Sequence, residues 1–301
     1  MKIKVLHNPY SNRWNSQKRW AEAENALRLA GIDFDLSVSE HTDHLISLAA
    51  DAVKQGYKTL IVAGGDGSIG EVINGAAQGW DETSAFPVTI GIIPLGTAND
   101  LSDNIGNPRD FSTVAQMIAN RKTRGIDLGK CNERYFLNNS AAGLEPYVTT
   151  KQEKIKNLSG VPRYLLAAVQ AIMDRPNWNA KLDWDGGSYE GPISLVSVGN
   201  GHRTGGIFYM TPHANPFDGK LTFVHAYRNT RLGMFQVLPK AMKPDKGNMV
   251  EMEGIHELHC TRLKIHLDKP SPAHTDGELF DSWLTDLDYK IFPSTVQMIV
   301  P

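Results

Sequence analysis

The chain has few cysteines and no excess of charge of either sign. Two of its 301 residues are cysteine, Cys131 and Cys260, which excludes a disulfide framework and is typical of a reducing compartment. The 31 Lys and Arg residues nearly balance the 33 Asp and Glu residues, for a formal net charge of −2. This balance excludes a general attraction to nucleic acid or to an anionic membrane, so any such contact must come from a local patch.

Long hydrophobic runs are also missing. No segment approaches the length that a membrane span requires, and residues 1–9 become polar too early for a secretory signal peptide. With 41% hydrophobic and 21% charged residues, the composition is that of an ordinary folded protein, long enough for two domains. We therefore expect a cytoplasmic protein, with peripheral contact to the inner face of the membrane left open.

The two halves of the chain follow different patterns. The first 130 residues alternate short apolar runs with amphipathic helical stretches, which is typical of a parallel α/β sheet, and residues 59–62 and 88–93 indicate buried strands. Later, Asp185-Gly186, Asp218-Gly219 and Asp276-Gly277 separate alternating segments, as in antiparallel hairpins, with one helix at residues 164–173. The sequence predicts an α/β domain over residues 1–130 and a mainly antiparallel β domain over residues 131–301. The last strand of the second domain could return to the first domain.

A glycine-rich turn, Gly64-Gly65-Asp66-Gly67-Ser68, follows the first buried strand and precedes a helix predicted to begin near Ile69. Backbone N–H groups at a helix N-terminus suit a phosphate group, and glycines let the ligand approach closely. A carboxylate there needs a cation or a transferable proton, so Asp66 could position Mg²⁺ or help activate a hydroxyl. A plain strand-to-helix turn is the alternative.

A second turn, Pro94-Leu95-Gly96-Thr97-Ala98-Asn99-Asp100, follows the other buried strand. Ligands of open α/β sheets bind beyond the carboxyl ends of the strands, so both turns could line one crevice. Thr97 and Asn99 offer neutral hydrogen bonds, and Asp100 could contact a ribose or a cation. Simple capping of the next helix by Asn99 or Asp100 is the alternative.

Together these residues resemble the signature of the diacylglycerol kinase catalytic family, which includes bacterial lipid kinases and the sphingosine and ceramide kinases. The resemblance spans nearly the whole chain and is most specific in the two turns. Its further pieces are Asn8-Pro9-Tyr10-Ser11, Glu71, Asn74, Leu137-Asn138-Asn139-Ser140, Gly143 and Asp276-Gly277-Glu278.

The resemblance implies an ATP-binding α/β domain, similar to those of NAD kinase and phosphofructokinase, and a β-sandwich domain, with the active site between them. It implies transfer of the γ-phosphoryl group of ATP to a lipid hydroxyl, with Mg²⁺, in phospholipid metabolism. Asp276 would be the general base, supported by Glu278, with Asp66 also catalytic. Asp218 and the carbonyls of Asn215 and Lys220 would hold a structural Mg²⁺. The implied nucleotide-binding residues are Asn8, Thr42, Gly64, Gly65, Asp66, Gly67, Ser68, Ile69, Gly70, Glu71, Gly96, Thr97, Asn99 and Asp100.

Three positions depart from the family pattern. Ser68 stands where Thr is usual and keeps the hydroxyl, whereas Gly70 replaces the more usual Asn and removes a side-chain contact. Asn12 replaces the Gly expected after Ser11, so the turn at Asn8-Pro9-Tyr10-Ser11 could have a different shape. None of these changes affects Asp66 or Asp276, and we expect activity.

Two segments could contact an anionic membrane, where the lipid substrate resides. The first contains Lys151, Lys154, Lys156 and Arg163, and the second contains Met234, Phe235, Val237 and Leu238 before Lys240 and Lys243. Ordinary solvated charges over a core element are the alternative. No basic stripe supports a nucleic-acid partner, and a homodimer is left open.

Three other functions remain open besides a lipid kinase. A similar Gly-Gly-Asp-Gly turn occurs in NAD kinases and in phosphofructokinase-like sugar kinases, although the second turn favours the lipid family. A catalytically silent lipid-binding relative is also possible in principle, and the presence of Asp66 and Asp276 argues against it. Asp185-Gly186-Gly187 is assigned no function and serves as an internal control.

Overall fold

The structure is a computed structural model that describes residues 2–12, 15–158 and 160–301. In chain order the elements are β1 (Ile3–His7), α1 (Asn15–Leu29), β2 (Phe34–Val38), α2 (His44–Lys54), β3 (Thr59–Gly64), α3 (Asp66–Ala76), β4 (Thr89–Pro94), α4 (Asp100–Asn104), α5 (Phe111–Asn120), β5 (Thr123–Cys131), β6 (Arg134–Phe136), β7 (Asn139–Gly143), α6 (Leu144–Lys154), α7 (Gly160–Asp174), β8 (Trp178–Trp184), β9 (Gly187–Ile193), β10 (Leu195–Gly199), β11 (Leu221–Ala226), α8 (Arg231–Ala241), β12 (Ile255–Cys260), β13 (Arg262–Ser271), β14 (Ala273–Thr275), β15 (Glu278–Leu279) and β16 (Leu284–Ile299).

A parallel sheet with the strand order β2-β1-β3-β4 forms the centre of the first half. Helices cover both faces, which is why every residue of β3 is buried. On one face Leu45 of α2 packs in a cluster with Val72 of α3, and on the other Leu27 of α1 packs with Ile118 of α5. The parallel α/β arrangement predicted for this half is therefore confirmed.

The last strand, β16, joins the two halves of the molecule. It runs parallel to β4 at residues 297–298 and antiparallel to both β5 and β13. Within the described residues these pairings give one ten-stranded sheet, which continues beyond β16 through β13, β8 and β9. Strand β5 runs through residue 130, so no break between elements marks a boundary at that position. The domain boundary proposed there stays a prediction.

A second sheet, with the order β12-β11-β10-β7-β14-β15, packs against the antiparallel part of the first. Val196 and Phe223 from the second sheet share an apolar cluster with Leu182 and Ile265 from the first. Two sheets packed face to face around such a cluster form a β-sandwich. The fold class predicted from the sequence is confirmed.

Several local expectations differ from the structure. Helix α3 begins at Asp66, three residues earlier than expected, and the second half has helices α6 and α8 besides α7. The apolar residues of α6 and α8 do not gather on one helical face, so their periodicity was not recognised. In α7, Val169 is exposed, whereas Ala168 and Ile172 are buried.

The Asp-Gly turns divide into two kinds. Asp185-Gly186 joins β8 to β9, and Asp276-Gly277 joins β14 to β15, as two-residue hairpins. Asp218-Gly219 instead ends the long connection between β10 and β11, so the hairpin expected there was wrong. The reason is a distant contact, because Asp127 Oδ2 accepts a 2.7 Å hydrogen bond from the Gly219 N–H.

Candidate active site

The two glycine turns cross each other backbone against backbone. The N–H groups of Leu95 and Gly96 donate to the carbonyl of Gly64 at 2.9 and 3.1 Å. A Cβ added to Gly96 would lie 2.4 Å from the Gly65 Cα, and one added to Gly65 would lie 2.9 Å from the Gly96 Cα. Only glycine fits at this crossing, which brings both turns to one edge of the sheet.

Asp66 connects the first turn to the helix that follows the second. Its Oδ2 accepts from the Asp100 N–H at 3.1 Å and its Oδ1 from the Leu101 N–H at 3.0 Å, so the side chain caps α4. Burial raises the pKa of Asp66 to about 6, and the charge of Asp100 adds to the effect. The carboxylate thus positions the second turn, and its catalytic role stays a prediction.

Asp100 is paired with an arginine that the sequence analysis missed. Arg203 Nε donates to Asp100 Oδ1 at 2.8 Å, and Arg203 also contacts the Ala98 carbonyl at 3.1 Å and pairs with Asp103. The Gly206 N–H donates to Asp100 as well. Arg203 lies 103 positions from Asp100 in the sequence, and no local signal identifies it. This ion pair holds the loop before β11 against the second turn.

The segment Asn8-Pro9-Tyr10-Ser11 lies beside Ser68 of the first glycine turn. Asn8 Nδ2 donates to Ser68 Oγ at 3.0 Å, and the hydroxyls of Ser11 and Ser68 are 3.2 Å apart. Thr97 Oγ1 donates to Asn12 Oδ1 at 3.1 Å, which joins this segment to the second turn. Asn12 has a φ of 52°, a left-handed conformation that Asn tolerates better than most residues, so the departure from Gly is accommodated.

Glu71 supports the neighbouring helix. Its Oε2 accepts from the Leu45 N–H at 3.1 Å, within the first turn of α2. Burial raises the pKa of Glu71 to about 7, and the charges of Asp43 and Glu278 contribute. Thr42 is exposed in the turn that precedes α2, and its predicted nucleotide contact stays a prediction.

Two predicted nucleotide contacts have structural partners of their own. Ile69 packs in the apolar core, and its N–H donates to the Gly65 carbonyl at 3.1 Å, so its side chain and its N–H are both engaged. Asn99 accepts from the Gly96 N–H at 2.9 Å and donates to the Gly96 carbonyl at 3.0 Å. Asn99 therefore stabilises its own turn.

Asp276 occupies the turn between β14 and β15. Asp276 and Gly277 have φ values of 48° and 87°, the left-handed pair that a two-residue hairpin favours. The Asp276 carboxylate accepts three main-chain N–H groups, from Leu137 at 3.0 Å and from Asn138 and Asn139 at 2.9 Å each. Burial nevertheless raises the pKa of Asp276 to about 6, and the charge of Asp66 adds to the rise.

This hairpin lies against the start of α3. A Cβ on Gly67 would lie 2.5 Å from Glu278 Oε1, and one on Gly70 would lie 3.6 Å from the Asp276 Cβ. Reduced solvation raises the pKa of Glu278, and the charge of Asp43 acts in the same direction. The structure therefore brings the predicted acids Asp66, Asp276 and Glu278 to the same end of α3.

A cleft of about 430 Å³ contains Asp66 and Asp276, and its lining also includes Gly67, Thr97 and Asn139. A narrow apolar cavity of about 70 Å³ lies next to it, between helices α6, α7 and α8 and the second sheet. The two spaces share four lining residues, namely Glu145, Tyr164, Phe208 and Met210. The cleft that contains the acidic groups therefore leads into the apolar cavity.

The predicted metal residues lie outside this cleft, around a buried aspartate that the sequence analysis missed. Asp127 accepts from the N–H groups of Gly219 and Ser294 at 2.7 and 2.6 Å, while Asp218 Oδ1 accepts from the Lys220 N–H at 3.0 Å. Burial raises the pKa of Asp127, and the charge of Asp218 contributes. An aspartate between two buried apolar residues, Ile126 and Leu128, was the available signal.

Asp127 and Asp218, with the carbonyls of Asn215 and Lys220, offer only oxygen donors, which are the ligands that Mg²⁺ takes. Across residues 2–12, 15–158 and 160–301, no group of three or more His, Cys, Asp or Glu side chains is arranged to hold a metal ion. A Mg²⁺ site here would depend on Asp218 and on the main-chain carbonyls of Asn215 and Lys220, as the resemblance implies, and it stays a prediction.

The two candidate membrane segments have different environments. Met234 is buried, and Val237 and Leu238 line the apolar cavity, so these residues face inward. Lys151 pairs with Asp174 at 2.5 Å and Arg163 Nε donates to the Gln152 carbonyl, whereas Lys154 and Lys156 are exposed. No helix in the described part of the chain is both long enough and apolar enough to cross a bilayer.

Comparisons with known proteins cover nearly the whole chain. Residues 2–131 match the family model described as the diacylglycerol kinase catalytic domain, and residues 139–300 match the one described as the YegS C-terminal NAD kinase beta sandwich-like domain. A protein named diacylglycerol kinase from Bacillus subtilis (strain 168) is 26% identical over 279 residues, which cover 92% of this chain and 89% of that protein. A protein of the same name from Staphylococcus carnosus (strain TM300) is 24% identical over 278 residues, 92% of this chain and 88% of that one.

The same fold occurs in a crystal structure of a diacylglycerol kinase from Bacillus anthracis str. Sterne. It superposes with a TM-score of 0.78 at 22% identity and covers 100% of this chain and 97% of that one. The structural likeness shows the fold, and the two family matches, taken in order along the chain, show the relationship. The chain belongs to the diacylglycerol kinase family of bacterial lipid kinases.

Proposed function

We propose that the protein transfers the γ-phosphoryl group of ATP to the hydroxyl of diacylglycerol or of a related long-chain lipid alcohol. One observation carries the proposal: a buried carboxylate, Asp276, lies in a cleft that reaches a glycine-lined helix N-terminus and continues into an apolar cavity. A phosphate-binding end, a base and an apolar end are the parts that a lipid kinase needs.

The nucleotide would bind at the two glycine turns. The first-turn N–H groups of α3 have no partner within the helix, and the positive end of the helix dipole favours a phosphate. The close crossing of Gly65 and Gly96 holds the start of α3 against the second turn, so main-chain groups of both turns would lie beside the phosphates. Mg²⁺ bound with ATP would neutralise charge on the phosphates.

Asp276 would act as the general base. As the lipid oxygen attacks the γ-phosphorus, the lipid hydroxyl gives its proton to the Asp276 carboxylate. The new oxygen–phosphorus bond forms while the bond from the γ-phosphorus to the β,γ-bridging oxygen breaks, and ADP leaves. A pKa of about 6 suits this task because the group is mostly ionised at neutral pH and still accepts a proton. Glu278, beside Gly67, supports the base in this proposal.

The apolar cavity would take the lipid tail. It is about 70 Å³, which accommodates only a short apolar segment, so a full acyl chain requires α6, α7 and α8 to move apart or must extend outside. A sugar phosphate has no apolar group for such a cavity, and NAD offers flat aromatic rings but no aliphatic chain. The cavity is therefore the observation that favours a lipid over those acceptors.

The substrate would be taken from an anionic membrane contacted by α7 and α8. Leu166, Val169 and Met173 follow one exposed face of α7, and Leu232 on α8 is 70% exposed. The exposed Lys154 and Lys156 join none of the ion pairs found within the described residues. Apolar side chains flanked by cations complement a bilayer of anionic lipids.

The test is phosphorylation from ATP labelled on its terminal phosphate, with diacylglycerol, other lipid alcohols, NAD and fructose 6-phosphate as acceptors. Label in a lipid supports the proposal, and label in NAD or the sugar contradicts it. With no labelled product, a silent lipid-binding relative becomes the better description.

Asp276→Asn keeps most of the side-chain volume and two of the three hydrogen bonds while it removes the base. We expect turnover to fall about 10²- to 10⁴-fold with nearly unchanged ATP affinity. Asp185→Asn is the matched control, because Asp185 also lies in an Asp-Gly hairpin and accepts from the Thr261 N–H, outside the cleft. Turnover of Asp276→Asn close to that of the wild type would remove Asp276 from its role.

A further inference from the structure

Glu145 is a buried carboxylate at the junction of the cleft that contains Asp276 and the apolar cavity. It stands in the first turn of α6, is only 7% exposed, and lines both spaces. The phosphoryl-transfer scheme above does not use it. A lipid whose tail enters the apolar cavity and whose hydroxyl reaches Asp276 must pass this side chain.

All of its partners are hydrogen-bond donors. Ser197 Oγ donates to Glu145 Oε2 at 2.8 Å, and Asn139 Nδ2 approaches Oε1 at 3.4 Å. His274 Nε2 lies 3.2 Å from Oε1, and because His274 Nδ1 accepts from the Gly277 N–H, Nε2 carries the proton and donates. A carboxylate has about four acceptor sites, so these three bonds leave one open.

The same cluster is connected to the proposed base. The N–H of Asn139 donates to Asp276 Oδ1 at 2.9 Å, while its side-chain amide approaches Glu145. One residue therefore contacts both carboxylates. A lipid group next to the reacting hydroxyl would lie close to Glu145 when that hydroxyl is at Asp276.

We propose that Glu145 selects the acceptor lipid by accepting a hydrogen bond from a hydroxyl or N–H group beside the reacting hydroxyl. The inference rests on the proposed lipid kinase activity. In diacylglycerol the neighbouring position carries an ester, which offers only acceptor oxygens and leaves the buried carboxylate facing other lone pairs. A monoacylglycerol has a free hydroxyl there, and other lipid alcohols carry an amine or an amide N–H. These donor-bearing lipids are the preferred substrate class.

The test uses two acceptors that differ only at this position, 1-monooleoylglycerol and 1-oleoyl-2-acetylglycerol, at equal mole fractions in the same mixed micelles. Because a hydrogen bond to a charged group has a large effect, we expect kcat/KM to favour the monoacylglycerol about 10- to 100-fold. Glu145→Gln should reduce this ratio at least tenfold, since the amide can also donate to an ester carbonyl.

Ser197→Ala is the matched control. It removes a hydrogen bond to Glu145 but keeps the carboxylate, so it should change the rates with both lipids together and leave their ratio unchanged. A wild-type preference for the acetylated lipid, or an equal ratio in wild type and Glu145→Gln, overturns the inference while the lipid kinase activity stands. If neither lipid nor any other lipid alcohol is labelled, the proposed function fails and the inference fails with it. If Glu145→Gln does not fold, the ratio of the two kcat/KM values in the wild type still tests the inference.

Discussion

A methyl group at residue 96 directly perturbs the crossing of the two glycine turns. In Gly96→Ala the new Cβ would lie 2.4 Å from the Gly65 Cα and 2.7 Å from Asn99 Oδ1. Non-bonded carbon atoms normally approach to about 3.5–4.0 Å, so the turns must separate by about 1 Å or more at this point. The hydrogen bond from the Gly96 N–H to the Gly64 carbonyl, now 3.1 Å, would lengthen with them.

Two effects of different size are expected. Overpacking of this kind costs about 1–3 kcal/mol of folding stability. If the movement removes one main-chain hydrogen bond to a phosphate, ATP affinity falls about 10- to 100-fold, because a bond to a charged group contributes about 1.5–3 kcal/mol. Gly65→Ala, with its closest contact at 2.9 Å, should show the same effects more weakly, and Gly65→Val more strongly than Gly65→Ala.

Calorimetric titration with ATP and thermal melting measure the two effects separately. The matched control is Gly79→Ala: Gly79 has a φ of 74° and no neighbour within 4 Å of an added Cβ. It should lose about 1 kcal/mol from backbone strain and keep its ATP affinity. A folded Gly96→Ala protein that binds ATP as tightly as the wild type would refute the assignment of this crossing as the phosphate site.

Three further predictions concern pH, metal and membrane. Burial raises the pKa of Asp66 and Asp276 to about 6 and that of Glu71 to about 7, so the folded protein binds these protons more tightly than the unfolded chain does. Their contribution to the free energy of unfolding is fully present below about pH 4 and is lost as the pH rises through 6 to 7. The melting temperature of Glu71→Gln should therefore fall less between pH 5 and pH 8 than that of the wild type. An equal fall in both proteins would contradict the raised pKa of Glu71. Chelation by EDTA should lower the melting temperature of the wild type but not of Asp218→Asn, and equal responses would argue against a Mg²⁺ site there. Leu232→Ser should weaken co-sedimentation with anionic vesicles, whereas binding that changes neither with the substitution nor with salt would exclude the α7–α8 surface.

Elements that bury apolar side chains on a regular pattern were predictable from the sequence. Strands β3 and β4 read as continuous apolar runs because helices cover both of their faces. The hairpin turn at Asp276 was equally accessible, since an Asp-Gly pair favours the left-handed conformations found there. Hydrophobic periodicity and turn chemistry are local properties, which is why a single sequence carries them.

The partners of the acidic side chains could not be predicted in the same way. Asp66 bonds to main-chain groups 34 and 35 positions later, and Asp276 accepts from groups that precede it by 137 to 139 positions. Arg203 meets Asp100 only because the loop before β11 folds back over the second turn. Such pairs depend on how distant segments pack, within the first half for Asp66, within the second half for Asp276 and between the two halves for Arg203, and neither composition nor spacing encodes that.

Three acids of the site share one structural feature, which decides how their functions can be separated from folding. Asp66 caps α4, Glu71 accepts from the first turn of α2, and Asp276 holds the segment of residues 137–139. Each carboxylate is thereby placed before any substrate binds, as electrostatic catalysis requires. Replacement by alanine would release those main-chain groups and mix a loss of positioning with a loss of chemistry. Replacement by Asn or Gln keeps an acceptor oxygen, so a rate lost in Asp276→Asn but retained in Asp66→Asn would assign the proton transfer to Asp276 and the positioning to Asp66.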